Sequence, residues 1–395
     1  MQQRTAAHRV HTLRRQGVLA MLRHVHDHPA ATRADAARAL GLSSGSAAEI
    51  STRLKGLRLA EETAGPQTGG RGRPSPVLTA HPRGPLVCAV SIGHEEWRMC
   101  TVEIGGRVVA EDSGRNPAGG ARPVLDVLRG RIAAAYGEHG PRLRAVSVAV
   151  AGTVRRTTIV QASGMGWYGI DLEPLRPAPG TPLLVGNDAS MAGLAEARRG
   201  TGAGARVSLH LTVEVGVGGI LIVDGVPVDG ATGAGGEFGH MPFGDPALDC
   251  PCGARGCWDL AVDGRAMARA LGRPEPRDPR TEAGRILTSA AGDPAARAAA
   301  GAAAAALGRG VGALVNALDP ELVTLSGLAA GLVATAPEEL NGAYTAALMR
   351  FRRADPPPLL PSALGGRGPL LGAAEAAFDT LLSDAGLEAW SGTLT

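Results

Sequence analysis

The chain has 395 residues, 44% hydrophobic, 19% charged and 3% aromatic, which excludes a disordered chain and suits two or three globular domains. Its net charge of +3 conceals an asymmetry: residues 1–80 carry twelve basic and five acidic side chains, a net +7, and the remainder carries −4. A small basic segment on a larger acidic one points to a polyanionic partner for the first part only.

Residues 1–62 read as helical with a turn in the middle. Val18, Leu22 and Val25 share one helical face, and Pro29 ends that helix. Thr32 is placed to cap a second helix with Asp35 in its first turn, and Gly41 fits its end. Ser43 or Ser44 caps a third, on which Ile50, Leu54 and Leu57 share a face. Two short helices joined by a tight glycine-containing turn form the helix-turn-helix pattern. Strands at 59–63 and 76–79 then read as a small hairpin, or wing, holding Gly70-Arg71-Gly72-Arg73-Pro74 between them. Arginines flanked by glycines can enter a narrow minor groove. The five histidines between residues 8 and 28 have no metal-ligand spacing and read as surface residues.

From residue 84 the texture changes. Strands are expected at 86–92, 97–104 and 107–111, with a Gly105-Gly106 turn, followed by a helix at 124–136. Further strands are expected at 145–151, 182–185, 207–215, 219–223 and 322–325. Helices are expected at about 262–271, 281–292, 294–318, 335–352 and 371–382, with 274–279 and 356–361 as proline-rich loops. Strands first, then alternation with helices, argue an α/β fold on a mixed sheet. The expected domains are 1–80 and 84–395. The polar N-terminus does not read as a secretory signal. The alanine-rich stretch before Leu307 is interrupted by Gly308, Arg309 and Gly310, so no run reaches the roughly 18 apolar residues that cross a bilayer. A cytoplasmic protein is expected.

The strongest local motif is His240 with Cys250, Cys252 and Cys257, one His and three Cys within 18 residues. Thiolates are soft and imidazole borderline, so this set suits a closed tetrahedral structural zinc, one per chain. With no open position, the metal would not activate water. Cys88 and Cys100 lie in apolar strands and read as core.

Glu237-Phe238-Gly239-His240, the Cys-x-Cys-Gly-x-x-Gly-Cys run at 250–257, and Asn187-Asp188-Ala189 ahead of Gly193-Leu194-Ala195-Glu196 resemble the ROK family of bacterial sugar kinases and repressors. The N-terminal block ending in Thr68-Gly69-Gly70-Arg71-Gly72-Arg73-Pro74 resembles its repressor branch. The resemblance implies a two-lobed hexokinase/actin-like domain with a zinc loop at 237–259. It implies sugar contacts from Asn187, Asp188, Glu237, His240 and the position of Asp259. In the family's kinases the residue at Asp188 is the general base for the accepting hydroxyl. Here it would be vestigial.

The sequence departs from the family at several places. Asp259 stands where Glu is usual, and Gly164 where Asn is common; both change hydrogen-bonding capacity in the pocket. The first phosphate loop resembles Asp-x-Gly-Gly-Thr, but this chain has Ser91-Ile92-Gly93-His94-Glu95. The second resembles Gly-Thr-Gly-x-Gly, but here Glu214 opens Glu214-Val215-Gly216-Val217-Gly218 and would bring negative charge towards phosphate. Near the adenosine site, Leu325-Ser326-Gly327 replaces a common Gly-Gly. Substitution at Ser91, His94 and Glu214 argues against ATP binding and kinase turnover.

The resulting expectation is a DNA-binding regulator, acting as a repressor, that answers to a sugar or sugar derivative. A homodimer or homotetramer would place two winged modules on a two-fold-related double-stranded operator. Arg33, Ser44, Ser46, Arg53, Lys55, Arg71 and Arg73 are the DNA-contact candidates. The competing readings are an ATP-dependent sugar kinase and a regulator with a vestigial pocket.

Overall fold

The computed structural model describes residues 16–64 and 75–394. Contacts divide the chain into two units. One comprises the residues up to Val148, Asp171–Leu184 and Ala373 onward; the other comprises Ala149–Ile170 and Val185–Gly372.

The first unit opens with helix α1 (residues 16–27), which buries Val18, Leu22 and Val25 as the spacing predicts. Helix α2 (Arg33–Ala39) starts at a capping box: Thr32 Oγ1 accepts from the Asp35 amide, and Asp35 accepts from the Thr32 amide. Helix α3 (Ser44–Gly56) is capped by Ser43 and buries Ala47, Ser51 and Leu54. Strands β1 (Ala60–Thr63) and β2 (Val77–Ala80) pair antiparallel, Ala60 opposite Ala80 and Thr63 opposite Val77. The arginines Arg71 and Arg73 between them lie outside the described residues. One expectation is overturned here. His26 is not on the surface but 2% exposed, its Nε2 3.2 Å from Glu375 Oε2, a partner 349 residues away.

Next come β3 (Leu86–Ile92), β4 (Glu96–Glu103) and β5 (Val108–Arg115), an antiparallel meander turning at 93–95 and 104–107. The apolar run of β3 is almost wholly buried. Helix α4 (Ala121–His139) leads to β6 (Leu143–Val150). A small sheet not foreseen in the sequence follows, nearly all of it in the second unit: β7 (Thr153–Arg155), β8 (Thr158–Ala162) and β9 (Trp167–Asp171). Its strands are too short and too polar for a period of two to show. Strand β10 (Leu183–Asn187) completes the five-stranded order β10-β6-β3-β4-β5 and runs directly into α5 (Asp188–Arg199), which belongs to the second unit.

The second unit is built on the order β13-β12-β11-β14-β15. Strands β11 (Val207–Val213), β12 (Val217–Val223) and β13 (Val226–Pro227) are antiparallel neighbours. The expected helix at 262–271 is two, α6 (Asp259–Val262) and α7 (Gly264–Ala270), because the Asp263 carboxylate caps α7 by accepting from the Arg265 and Ala266 amides. Helices α8 (Pro279–Ser289) and α9 (Pro294–Leu318) follow. Strand β14 (Leu322–Gly327) pairs parallel to β11. Beyond it lie α10 (Leu328–Thr335), α11 (Pro337–Ala347) and β15 (Leu359–Pro361). β15 falls in a stretch read as a loop; parallel pairing to β14 makes a strand of it despite Pro356, Pro357 and Pro358. After it come α12 (Gly368–Leu381), counted with the first unit from Ala373 onward, and α13 (Asp384–Ser391), also of the first unit.

Helix α9 is the axis of this unit's core. It is long and apolar enough to cross a membrane by length and composition, so the expected interruption at Gly308, Arg309 and Gly310 does not occur; 72% of its apolar window is buried inside the protein. The glycines are contact points. A Cβ on Gly310 would fall inside the Trp258 ring and one on Gly308 would overlap the Leu340 carbonyl. The Trp258 indole donates to the Ala306 carbonyl at 3.0 Å. Under the sheet, buried His210 is held between Thr324 Oγ1 (2.8 Å) on one ring nitrogen and Thr212 Oγ1 (3.0 Å) and Ser326 Oγ (3.2 Å) on the other.

Candidate functional site

The end of β10 and the start of α5 place Asn187 and Asp188 together. Asn187 is the helix cap: Oδ1 accepts from the Ala189 and Ser190 amides at 2.9 and 3.1 Å, and Nδ2 donates to the Gly152 carbonyl at 3.1 Å. Most of its hydrogen-bonding capacity thus fixes the loop. Asp188 is half-buried in the first turn, where the helix dipole favours a carboxylate; its Oδ1 accepts from the Ala189 amide at 2.9 Å. Glu237 is exposed. Thr153 Oγ1 donates to its Oε1 at 2.7 Å, and its Oε2 lies 3.8 Å from His240 Nε2. Thr153 and Gly152 were not foreseen. They lie on or beside β7, 84 residues before Glu237 in the case of Thr153, and no local pattern marks them. Asp259 is turned into the protein. It is buried, its Oδ1 accepts from the Val217 amide at 2.7 Å, and its Oδ2 lies 3.6 Å from His240 Nδ1.

His240, Cys250, Cys252 and Cys257 do converge: one ligand atom from each lies within 4.8 Å of all the others. Cys250 Sγ is 3.8 Å from His240 Nδ1, and Cys252 Sγ is 3.7 Å from Cys257 Sγ. Metal–sulfur bonds of about 2.3 Å in a tetrahedron give edges of about 3.8 Å, so the donor set fits such an ion. Burial pushes the Cys257 thiol up to about 12. A bound cation would favour the thiolate form of these side chains. The loop is tied at Gly244, whose amide donates to the Gly256 carbonyl, and at Cys250, whose amide donates to the Ala254 carbonyl.

The loop from Glu214 to Gly218 is occupied by the protein's own groups. Glu214 Oε2 is 2.8 Å from Arg280 Nε, and burial raises this carboxyl against the pull of Arg280. The Glu214 amide donates to the Gly216 carbonyl, the Val217 amide is taken by Asp259, and Arg265 Nη2 donates to the Val215 carbonyl. Arg280 and Arg265 were also not foreseen. Ser91, on β3, is half-buried opposite Arg98, and His94 is half-buried in the following turn.

Of the DNA-contact candidates, Ser44, Ser46, Arg53 and Lys55 are exposed on α3. Ser46 Oγ lies 2.9 Å from Ser43 Oγ. Arg33 is paired with Glu62 at 2.5 Å, and Glu62 also accepts from Ser51, so this arginine braces α2 against β1.

Comparison with known proteins places this arrangement. Residues 87–380 match the ROK family. The glucokinase of Streptomyces coelicolor is 29% identical over 187 residues, 47% of this chain and 58% of the kinase, so the chain spans little more than half of that relative. The xylose repressor of Bacillus subtilis is 22% identical over 347 residues, 85% of this chain and 87% of the repressor. The crystal structure of a ROK family transcriptional regulator, a homologue of the E. coli MLC protein, has a TM-score of 0.74 at 22% identity, covering 95% of this chain and 99% of that one. At that identity the likeness is one of fold. Because the family match takes in well over half of the sequence, and the paired Asn187-Asp188 and the His-Cys₃ cluster fall within it, this chain belongs to the ROK family.

Proposed function

We propose that the protein is a DNA-binding transcriptional regulator of the ROK family, acting as a repressor and responding to a sugar or sugar-derived ligand. The observation that carries this reading is the segment ahead of the family match: three helices and an antiparallel hairpin, with the Ser44, Ser46, Arg53 and Lys55 side chains of α3 exposed. We read it as a winged helix-turn-helix with α3 as the recognition helix, and Arg71 and Arg73 as its wing. The +7 charge of residues 1–80 supports phosphate binding by counterion release. The ligand would meet Asn187, Asp188, Glu237 and His240, with Thr153 holding Glu237; Asp259, the remaining contact position, lies 3.6 Å from His240 Nδ1. The His-Cys₃ cluster would hold a structural zinc that fixes the loop carrying Glu237 and His240. A homodimer or homotetramer would match a two-fold operator.

The alternative is ATP-dependent sugar phosphorylation with Asp188 as base, and the identity to a glucokinase favours it. Glu214 weighs against it: its side chain, held by Arg280 at 2.8 Å, stands in the loop where a nucleotide phosphate would have to be received. The deciding experiment is binding to the protein's own promoter region with and without glucose, xylose, N-acetylglucosamine and their phosphates. Alongside it, coupled ATPase turnover is measured with the same sugars. Specific binding altered by one compound is the expected result. Binding indifferent to all of them would leave a vestigial pocket, and sugar-dependent turnover lost in Asp188→Asn would replace the proposal with the kinase.

A further inference from the structure

The end of α1 carries three histidines in one run, His24-Val25-His26-Asp27-His28. His26 is buried against Glu375. His24 and His28 are four residues apart, and on a helix such residues share a face. His28 stands one residue past α1, yet its amide still donates to the His24 carbonyl at 2.9 Å, so the helical spacing is kept. The two rings stack 4.5 Å apart, centroid to centroid, at an interplanar angle of 18°. Along the sequence alone these histidines carry no ligand spacing. That expectation is corrected by the helix, because imidazoles four apart on one helical face form a pair of metal ligands.

The ring nitrogens are set for this role. His28 Nδ1 donates to the His24 carbonyl at 3.3 Å, since a carbonyl can only accept. The proton is thereby assigned to Nδ1, and the Nε2 lone pair is left for a ligand. A backbone carbonyl on the other ring nitrogen is a common second partner of a metal-bound imidazole. His24 Nε2 is buried and has no hydrogen-bond partner, a cost that a bound ion would relieve. Burial, and then His28, push the His24 imidazole below its ordinary value, so at neutral pH it is in the neutral form that binds metal. The carboxylates of Asp27 and Asp35 act on the same ring in the opposite sense, placing negative potential there. The carbonyl end of α1 adds to that potential. Two imidazoles without a thiolate suit a borderline first-row dication such as zinc, nickel or copper, with water in the remaining positions, rather than magnesium or calcium. All of these groups lie within the first unit.

We propose that His24 and His28 form a metal site separate from the His-Cys₃ loop, an exchangeable site for a transition dication that staples the last turn of α1. With only two protein ligands, the ion is lost on desalting, and the protein as isolated carries the loop metal alone. The site does not depend on the regulator reading. The full chain is dialysed to equilibrium against micromolar zinc, and bound zinc is counted by elemental analysis for wild type, His24→Gln and His28→Gln. Wild type is expected to take up about one zinc per chain more than either variant, whose affinity for that ion falls at least about tenfold. Hydrogen–deuterium exchange in residues 16–27 is expected to slow with zinc at least about threefold in wild type and not in His28→Gln. The His28 side chain is exposed, so its replacement leaves the fold intact; should His24→Gln unfold, His28→Gln alone carries the comparison. No uptake beyond the loop metal, equal uptake in wild type and variants, or exchange in 16–27 indifferent to zinc would each overturn the proposal. Because the count is a difference between proteins that share the loop, it stands whether or not the cysteines hold zinc.

Discussion

Burial sets the chemistry of His210. Desolvation pushes its imidazole down to about 4 from an ordinary 6.5, opposed by the nearby Glu196 carboxylate. Between those values the unfolded chain takes up a proton that the folded chain refuses, so folding stability falls as pH drops through this window. The full loss from this one group is about 3 kcal/mol, and about 2 kcal/mol of it is expected by pH 5. Urea midpoints at pH 7.5 and pH 5 should therefore separate more for wild type than for His210→Gln; equal separations would show that the ring is protonated in the fold. The metal cluster makes a second prediction. Wild-type protein should carry about one zinc per chain by elemental analysis, and Cys252→Ser should lose it with a lower melting temperature. Metal-free wild type with unchanged melting would remove zinc from the account. These four residues are legible in the sequence because they fall within one short loop. The His26–Glu375 pair is not, because its members are 349 residues apart and neither carries a local pattern.

Helix starts are the most legible elements, since a cap is a local contract between a side chain and the amides two or three residues on. Thr32 with Asp35, and Ser43, cap as their spacing predicts. The breadth of α9 at 294–318 is equally plain, its proline at the first turn and its alanine run being strong local determinants. What the sequence conceals is why Gly308 and Gly310 sit inside it. They admit Leu340 and Trp258 at distances no Cβ allows. Gly310→Ala should raise intrinsic helix propensity yet destabilise the protein by about 1–3 kcal/mol through overpacking on Trp258. A chemical denaturation midpoint that rises would show that the ring moves aside at no cost. Strand β15 and the sheet of β7, β8 and β9 were hidden for the opposite reason. Their conformation is set by pairing partners rather than by their own residues.

For the molecule as a whole, family and candidate site could be read from short motifs, because the His-Cys₃ loop, the helix caps and the Asn187-Asp188 pair are built from residues close in sequence. The charge asymmetry, with its implication of a polyanion for residues 1–80, is a property of composition and needs no fold. The tertiary structure decided the rest. It showed that compact units do not follow the order of the chain, since the last residues from Ala373 pack with the first. It assigned Asn187 to capping and Asp259 to the Val217 amide, assignments that depend on which neighbour a side chain meets once folded. It also supplied Thr153, Arg280 and Glu375, each paired with a residue far away in sequence. Local interactions are fixed by spacing along the chain and so survive in the sequence alone. Long-range pairs are fixed by burial and close packing, which exist only after the chain has folded.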